Sequence, residues 1–362
     1  MKDYDVIVVG VGAHGSSVLD NLARRNISVL GIEKYDIAHA NGSSHGNSRI
    51  FRTAYIEDPR YVPLLKRSLT LWEDLDQYRQ ECDDMSPATI LNMTGGLMIG
   101  DPNSGVVQGT LNSVKAHNLE HRIMSADEIR STYPIFAVRD NEIGILDQSS
   151  GYIVPEAAIE TLVHRALKHG ATIKTNTTVT NWEEKPDGTF VVTTDKNETY
   201  TAKKGVLSVG AWANQVYGLR DILHVERRVL HWFKPVSTDS FSSIPVWIWQ
   251  YDGGEGKQGA AIYGFPHQPN YPHSEGVKIA RHGLETCMYT MTPNEDFLVD
   301  MKGSVVFCSP CSGHGFKMVT VLGAIVADLL LTGKTSFDIS FMSIDELTKV
   351  KAEGVGCAWK DK

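Results

Sequence analysis

The chain has 362 residues, 42% of them apolar and 22% charged, and a formal net charge of −8. A chain of this size buries a large core without disulfides or structural metals, and its length suits two domains or one α/β body with an inserted second part. The acidic balance argues against nucleic acid or an anionic membrane as a partner, yet leaves a small anionic substrate open, because the few charges lining a site set its field.

Residues 5–9 (Asp-Val-Ile-Val-Val) form an apolar run that stops at Gly10 and predict a buried parallel strand. Residues 13–25 fit a helix and 28–33 a second strand, which completes a compact βαβ unit. The Gly/Ser/His-rich stretch 41–48 predicts a loop. Over 60–77, Tyr61, Leu64, Leu65, Leu69, Trp72 and Leu75 keep one face of an amphipathic helix. Strand material surrounds Gly95-Gly96 in 89–100, and Ser125 with Glu128 predicts a capping box for a short helix ending before Pro134. A helix follows from Pro155 to His169, closed by Gly170, then strands at 172–175, 189–194 and 205–209. Between 225 and 282 the sequence is aromatic and alternating, with strands near 228–236, 246–250, 259–263 and 277–282 that read as a separate antiparallel sheet. A strongly apolar helix runs from Gly315 to Thr332.

The expected fold class is therefore α/β: a Rossmann-type dinucleotide domain with a second α+β substrate domain built on an antiparallel sheet. The first domain would be discontinuous, from 1–85, 145–220 and 288–362, and the second would comprise 86–144 and 221–287. Five scattered cysteines (Cys82, Cys287, Cys308, Cys311 and Cys357) point to a reducing compartment. Cys308 and Cys311 form a C-x-x-C without a second pair at zinc spacing, so they read as structural, and no metal is expected. No apolar run is long enough to span a membrane, and a strand starting at Asp5 leaves no room for a cleavable leader, so a cytoplasmic protein is expected.

Gly10-Val11-Gly12-Ala13-His14-Gly15 is a G-x-G-x-x-G between a strand and a helix. Gly10 would permit the tight turn, Gly12 the approach of a pyrophosphate, and Gly15 close packing of helix on strand. Glu33 ends the second strand, where an acidic side chain accepts hydrogen bonds from a ribose diol and repels a 2′-phosphate. The motif alone leaves FAD and NAD both open.

Three further segments bear on the cofactor. Ser43-Ser44-His45-Gly46-Asn47-Ser48-Arg49-Ile50-Phe51-Arg52 resembles a segment of the sarcosine oxidase, N-methyltryptophan oxidase and pipecolate oxidase family. Cys287-Met288-Tyr289-Thr290-Met291-Thr292-Pro293 resembles that family's flavinylation segment, and Ser312-Gly313-His314-Gly315-Phe316-Lys317 its C-terminal motif. These landmarks occur in family order over nearly the whole chain. The resemblance implies FAD attached through Cys287, with Ser43, Ser44, Arg49, Val179, Gly313, Gly315 and Lys317 as further cofactor contacts. It implies that Arg52 and Lys317 clamp a substrate carboxylate, that Arg49 and Lys278 stand close to the flavin ring, and that Lys278 assists oxygen activation. Tyr263, His282 and Tyr289 would line the amine pocket. A helix N-terminus at Gly313 to Phe316 would face the flavin pyrimidine, with Lys317 in the first helical turn. The implied activity is FAD-dependent oxidation of a secondary or N-methyl amino acid by O2, in a monomer.

Taken alone, Cys287 reads as a buried structural cysteine, His282 as an ordinary histidine, and Arg52 or Lys317 as a solvated surface cation. Two departures from the family are visible. Only four residues separate His282 from Cys287, where the family carries a longer segment that helps close the substrate site, and its Gly-Phe-Ser reads Pro310-Cys311-Ser312 here. The rival readings are an FAD dehydrogenase with another electron acceptor, a flavin-binding protein with impaired turnover, and, on the glycine motif alone, an NAD dehydrogenase.

Overall fold

The computed structural model describes residues 3–86, 88–218, 222–227, 231–237, 239–251, 261–269, 276–281 and 288–352. Among these are eight α-helices: α1 (Ala13–Ala23), α2 (Val62–Glu81), α3 (Gly105–His117), α4 (Ala126–Thr132), α5 (Pro155–Lys168), α6 (Ala213–Val216), α7 (Val319–Thr332) and α8 (Ile344–Ala352).

The largest sheet has five parallel strands at its heart, in the spatial order Thr172–Lys174, Val29–Ile32, Asp3–Val9, Thr199–Leu207 and Val305–Ser309. The expected first two strands are there because the runs are apolar on both faces, as a sheet covered on both sides requires. Ile7, Val8, Leu30, Val206 and Leu207 are fully buried. An antiparallel hairpin, Val179–Glu184 with Phe190–Thr194, extends from the strand at Thr199–Leu207.

Helix α1 packs between α5 and α7. It is fixed to α5 by a buried ion pair in which Arg165 donates from Nε and Nη2 to the two Asp20 carboxylate oxygens, both at 2.8 Å, while Nη1 reaches Asp74 of α2. Helix α2 begins two residues later than expected, because Asp58 caps a 3-10 turn at Pro59–Tyr61 that leads into it. Its apolar face holds: Leu64, Leu65, Trp72 and Leu75 are buried.

The second sheet has seven strands in the order His231–Phe233, Val277–Arg281, Ala261–Gly264, Val246–Gln250, Gly96–Gly100, Ile143–Asp147 and Arg122–Ser125. Its pairs are antiparallel except one: Val246–Gln250 runs parallel to Gly96–Gly100, so the aromatic segment is not a sheet of its own but joins strands from the first half of the chain. The expected strand near 228–236 is present at His231–Phe233, and a strand not expected from the sequence, His224–Arg227, pairs with Met288–Met291 in a separate ribbon. Residues 228–230, 259–260 and 282 of the expected strands lie outside the described residues. Ser125 and Glu128 form the expected capping box of α4.

The sequence reading put one helix at Gly315 to Thr332. Instead, Phe316–Met318 is a 3-10 turn and α7 starts at Val319. The reason is local. The Lys317 carbonyl accepts from both Ser68 Oγ (2.7 Å) and Trp72 Nε1 (2.9 Å), so its two lone pairs are used by α2 side chains and the regular ladder begins after it. Lys317 thus sits in a bridging turn rather than in the first turn of an α-helix.

Candidate active site

The glycine turn opens a cavity of about 590 Å³ that reaches both large sheets. Gly10 has φ +89°, and a Cβ there would lie 2.3 Å from Ser208 O. A Cβ on Gly15 would come within 1.9 Å of Gly10 O, so only glycine lets α1 approach the strand this closely. At Gly12 a Cβ would meet no atom within 4 Å, which leaves the backbone open to the cavity. The Glu33 carboxylate accepts from Val11 N (2.7 Å) and Tyr35 N (3.0 Å), tying the second strand to the glycine turn.

The loop 43–48 forms part of the wall and is held from three sides. Lys278 Nζ, buried on its strand, donates to Gly46 O and Ser48 O, both at 2.9 Å, and lies over the Phe265 ring at 5.0 Å. Arg49 donates to Ser43 O and Ser48 O at 2.7 and 2.8 Å. Glu156, in the first turn of α5, accepts from Gly46 N at 2.6 Å.

Farther along the wall, Arg52 and Lys317 both approach one aromatic ring. The Arg52 guanidinium carbon lies 4.8 Å and Lys317 Nζ 5.2 Å from the Tyr55 ring centre. Both side chains are almost fully buried. Arg52 Nη2 donates to both Glu57 oxygens, at 2.5 and 2.7 Å, while Nη1 is buried with no partner. Lys317 Nζ donates to His314 O at 2.8 Å. Burial, aided by the charge of Arg52, pulls the Lys317 ammonium down to about 7. Burial likewise pulls His314, which contacts the Tyr55 hydroxyl, down to about 3, so its ring is neutral. The chain around Arg52 is itself anchored, because Asp147 accepts from Thr53 N (3.3 Å), Ala54 N (3.1 Å) and Ser150 Oγ (2.6 Å).

A profile of the FAD dependent oxidoreductase family matches residues 5–268. The chain belongs to that family. It is 33% identical to the monomeric sarcosine oxidase of Streptomyces avermitilis, over 96% of this chain and 99% of that protein. It is 30% identical to the N-methyl-L-tryptophan oxidase of Yersinia pestis, over 94% and 99%. The alignment with the first runs over 396 positions, more than the 362 residues of this chain, so that relative carries segments absent here. Among solved structures, NikD, an amino acid oxidase of nikkomycin biosynthesis, superposes with a TM-score of 0.78 at 23% identity, covering 95% of this chain and 98% of its own. Glycine oxidase from Geobacillus kaustophilus gives 0.72 at 16%, covering 95% and 98%. Both share the fold.

The cavity fits the flavin dinucleotide of this family. Three buried side-chain atoms without a hydrogen-bond partner, His14 Nδ1, Arg52 Nη1 and Thr290 Oγ1, belong to residues that line it. Gly10, Gly12, Glu33, Ser43, Ser44, Arg49, Arg52, Val179, Tyr263, Lys278, Gly313, Gly315 and Lys317 all line this one cavity. Gly15 does not, since it serves the packing of α1 instead. Gly313 to Phe316 also line it, but as the turn before α7 and not as an α-helix N-terminus, so the full dipole of α7 is not aimed from there. Cys287 and His282 lie outside the described residues. Tyr289 is placed by its backbone alone, paired with Glu226.

Sequence reasoning missed Tyr55, Glu57, Asp147 and Glu156. A carboxylate right after Pro155 at a helix start was a visible sign for Glu156. Nothing local marks Asp147, whose bonds to Thr53 and Ala54 span more than ninety residues. Cys308 and Cys311 also line the cavity, and burial pushes the Cys308 thiol far up, so it is inert as a nucleophile at neutral pH.

Proposed function

We propose that this chain oxidises a small secondary or N-alkylated amino acid to an imine, which water hydrolyses to an aldehyde and the dealkylated amine, with O2 reduced to H2O2. One observation carries the reading: two buried cations, Arg52 and Lys317, line the dinucleotide cavity and both approach the Tyr55 ring behind them. A substrate carboxylate meets the unpartnered Arg52 Nη1 and the Lys317 ammonium, whose forked and point-like donors orient it in a water-poor site. That contact fixes where the neighbouring C–H bond and amine nitrogen lie, and orientation of this kind supplies much of the acceleration. Bound FAD would supply the two-electron acceptor. The amine reacts as the free base, since an ammonium has no lone pair to share.

Lys278 keeps a buried positive charge beside loop 43–48, where it favours electron transfer to O2. Arg49, which opens the strand after that loop, stands near the flavin ring. Tyr263, His282 and Tyr289 line the amine pocket, and Cys287 holds the flavin through its sulfur. The short link from His282 to Cys287 favours a pocket more open than in the longer relatives, and the protein acts as a monomer.

The test is anaerobic mixing with sarcosine, other N-methyl amino acids and pipecolate. The reading expects the yellow flavin to bleach and, on admitting air, to recover with release of peroxide. Failure of every such amine to bleach it defeats the proposal, and bleaching without recovery in air identifies a dehydrogenase with another acceptor. Acid precipitation checks the attachment: colour left wholly in the supernatant rules out a bond to Cys287.

A further inference from the structure

Away from the flavin cavity, the end of α2 meets α5 at a cluster of three different donors. Cys82 ends α2, Asp84 lies in the turn after it, and His164 projects from α5. One sulfur, one carboxylate oxygen and one ring nitrogen lie within 4.8 Å of one another. None of the three residues lines the flavin cavity.

The imidazole is held in place by a neighbour. His164 Nδ1 lies 3.0 Å from the Tyr78 hydroxyl. Nε2 faces Asp84 Oδ1 at 3.2 Å without an aligned hydrogen bond. At that distance a ring nitrogen and a carboxylate share a cation, either a proton on the ring or a metal ion between them. Lys168, one turn on from His164, takes the other Asp84 oxygen at 2.7 Å and leaves Oδ1 for that cation.

We propose that Cys82, Asp84 and His164 are three ligands of a site for a zinc-class divalent ion, with water as the fourth. Thiolate, imidazole and carboxylate together suit a borderline-soft, tetrahedral ion better than calcium or magnesium, which favour all-oxygen shells. Bond lengths of roughly 2.0 to 2.3 Å put neighbouring ligand atoms about 3.3 to 3.7 Å apart, so the present spread closes by about 1 Å. Asp84 is 54% and His164 20% exposed, which gives the ion a path in and leaves room for the water. Binding releases the Cys82 thiol proton to solvent and leaves the oxidation states unchanged. Tyr78 acts from the outer shell, orienting the ring. The ion ties the end of α2 to α5.

The test uses the intact flavoprotein, stripped with a chelator and dialysed against buffered Zn2+, with bound metal read by elemental analysis. The expected result is one zinc per chain in the wild type, lost in Cys82→Ser and His164→Gln, and bound about 10- to 100-fold more weakly in Tyr78→Phe. Zinc should also protect Cys82 of the wild type from alkylation, read by peptide mass, which needs no variant to fold. Asp84→Asn, on an exposed turn, gives a second ligand deletion. Absence of bound zinc, or zinc that persists in the variants with Cys82 still open to alkylation, overturns the proposal and leaves an ordinary imidazolium–carboxylate pair.

Discussion

The depressed lysine gives the carboxylate clamp a pH signature. Lys317 is pulled from its ordinary 10.5 to about 7 by burial and by Arg52. A bound carboxylate supplies the missing counter-charge and raises it again, so binding takes up a proton wherever the free site has lost one. The sign follows: affinity is greatest below about pH 7, where Lys317 is already charged, and falls as pH rises above that value. Each unit is about 1.4 kcal/mol, so from about pH 7 to about pH 9 affinity drops by up to ~100-fold, or ~2.7 kcal/mol. The assay is a titration of the oxidised enzyme, followed by the flavin spectrum, with a small carboxylic acid that has no amine to confuse the proton count. Lys317→Met should bind more weakly at low pH and lose the slope. A wild-type affinity that stays flat over this range, or a slope that survives in Lys317→Met, refutes the reasoning.

Other consequences are structural. Between about 7 and 10.5 the unfolded chain holds a proton on Lys317 that the folded chain has lost, so stability rises with pH there; Lys317→Met should stabilise the protein at neutral pH and below, by at most ~5 kcal/mol, in denaturant melts. Asp20→Ala leaves the buried Arg165 guanidinium with only the half-exposed Asp74 and should cost up to about 3–5 kcal/mol in the same melts. Gly15→Ala drives a methyl group into Gly10 O, and should yield protein depleted of flavin by absorbance. Arg52→Met should cut kcat/KM for N-methyl amino acids by at least ~100-fold, in steady-state peroxide assays, while leaving bound flavin unchanged.

Local chemistry made the dinucleotide end legible. Gly10, Gly12, Gly15 and Glu33 are separated by a fixed spacing that strand and helix geometry impose: Gly10 and Gly12 stand in the turn, Gly15 in the first turn of α1, and Glu33 after the second strand accepts from Val11 N. The cations of the proposed clamp were legible only through their motif neighbours, because nothing in an isolated Arg52 or Lys317 says that both approach the Tyr55 ring. Helix α3 was hidden because Gly105 and Gly109 weaken its pattern, although Ser104 caps it through Val107 N. The parallel contact of Val246–Gln250 with Gly96–Gly100 joins residues far apart in sequence, and no periodicity announces such a partner. The start of α7 was misplaced for the same kind of reason: Ser68 and Trp72 reach Lys317 O from a different helix.

The central claim is that Arg52 and Lys317 grip an acid group while the adjacent C–H is oxidised. The most direct measurement is the anaerobic rate of flavin reduction by an N-methyl amino acid, compared with the same amine lacking its carboxylate. The account predicts rapid reduction by the first and a large loss of rate with the second. Equal rates for the two compounds would contradict it.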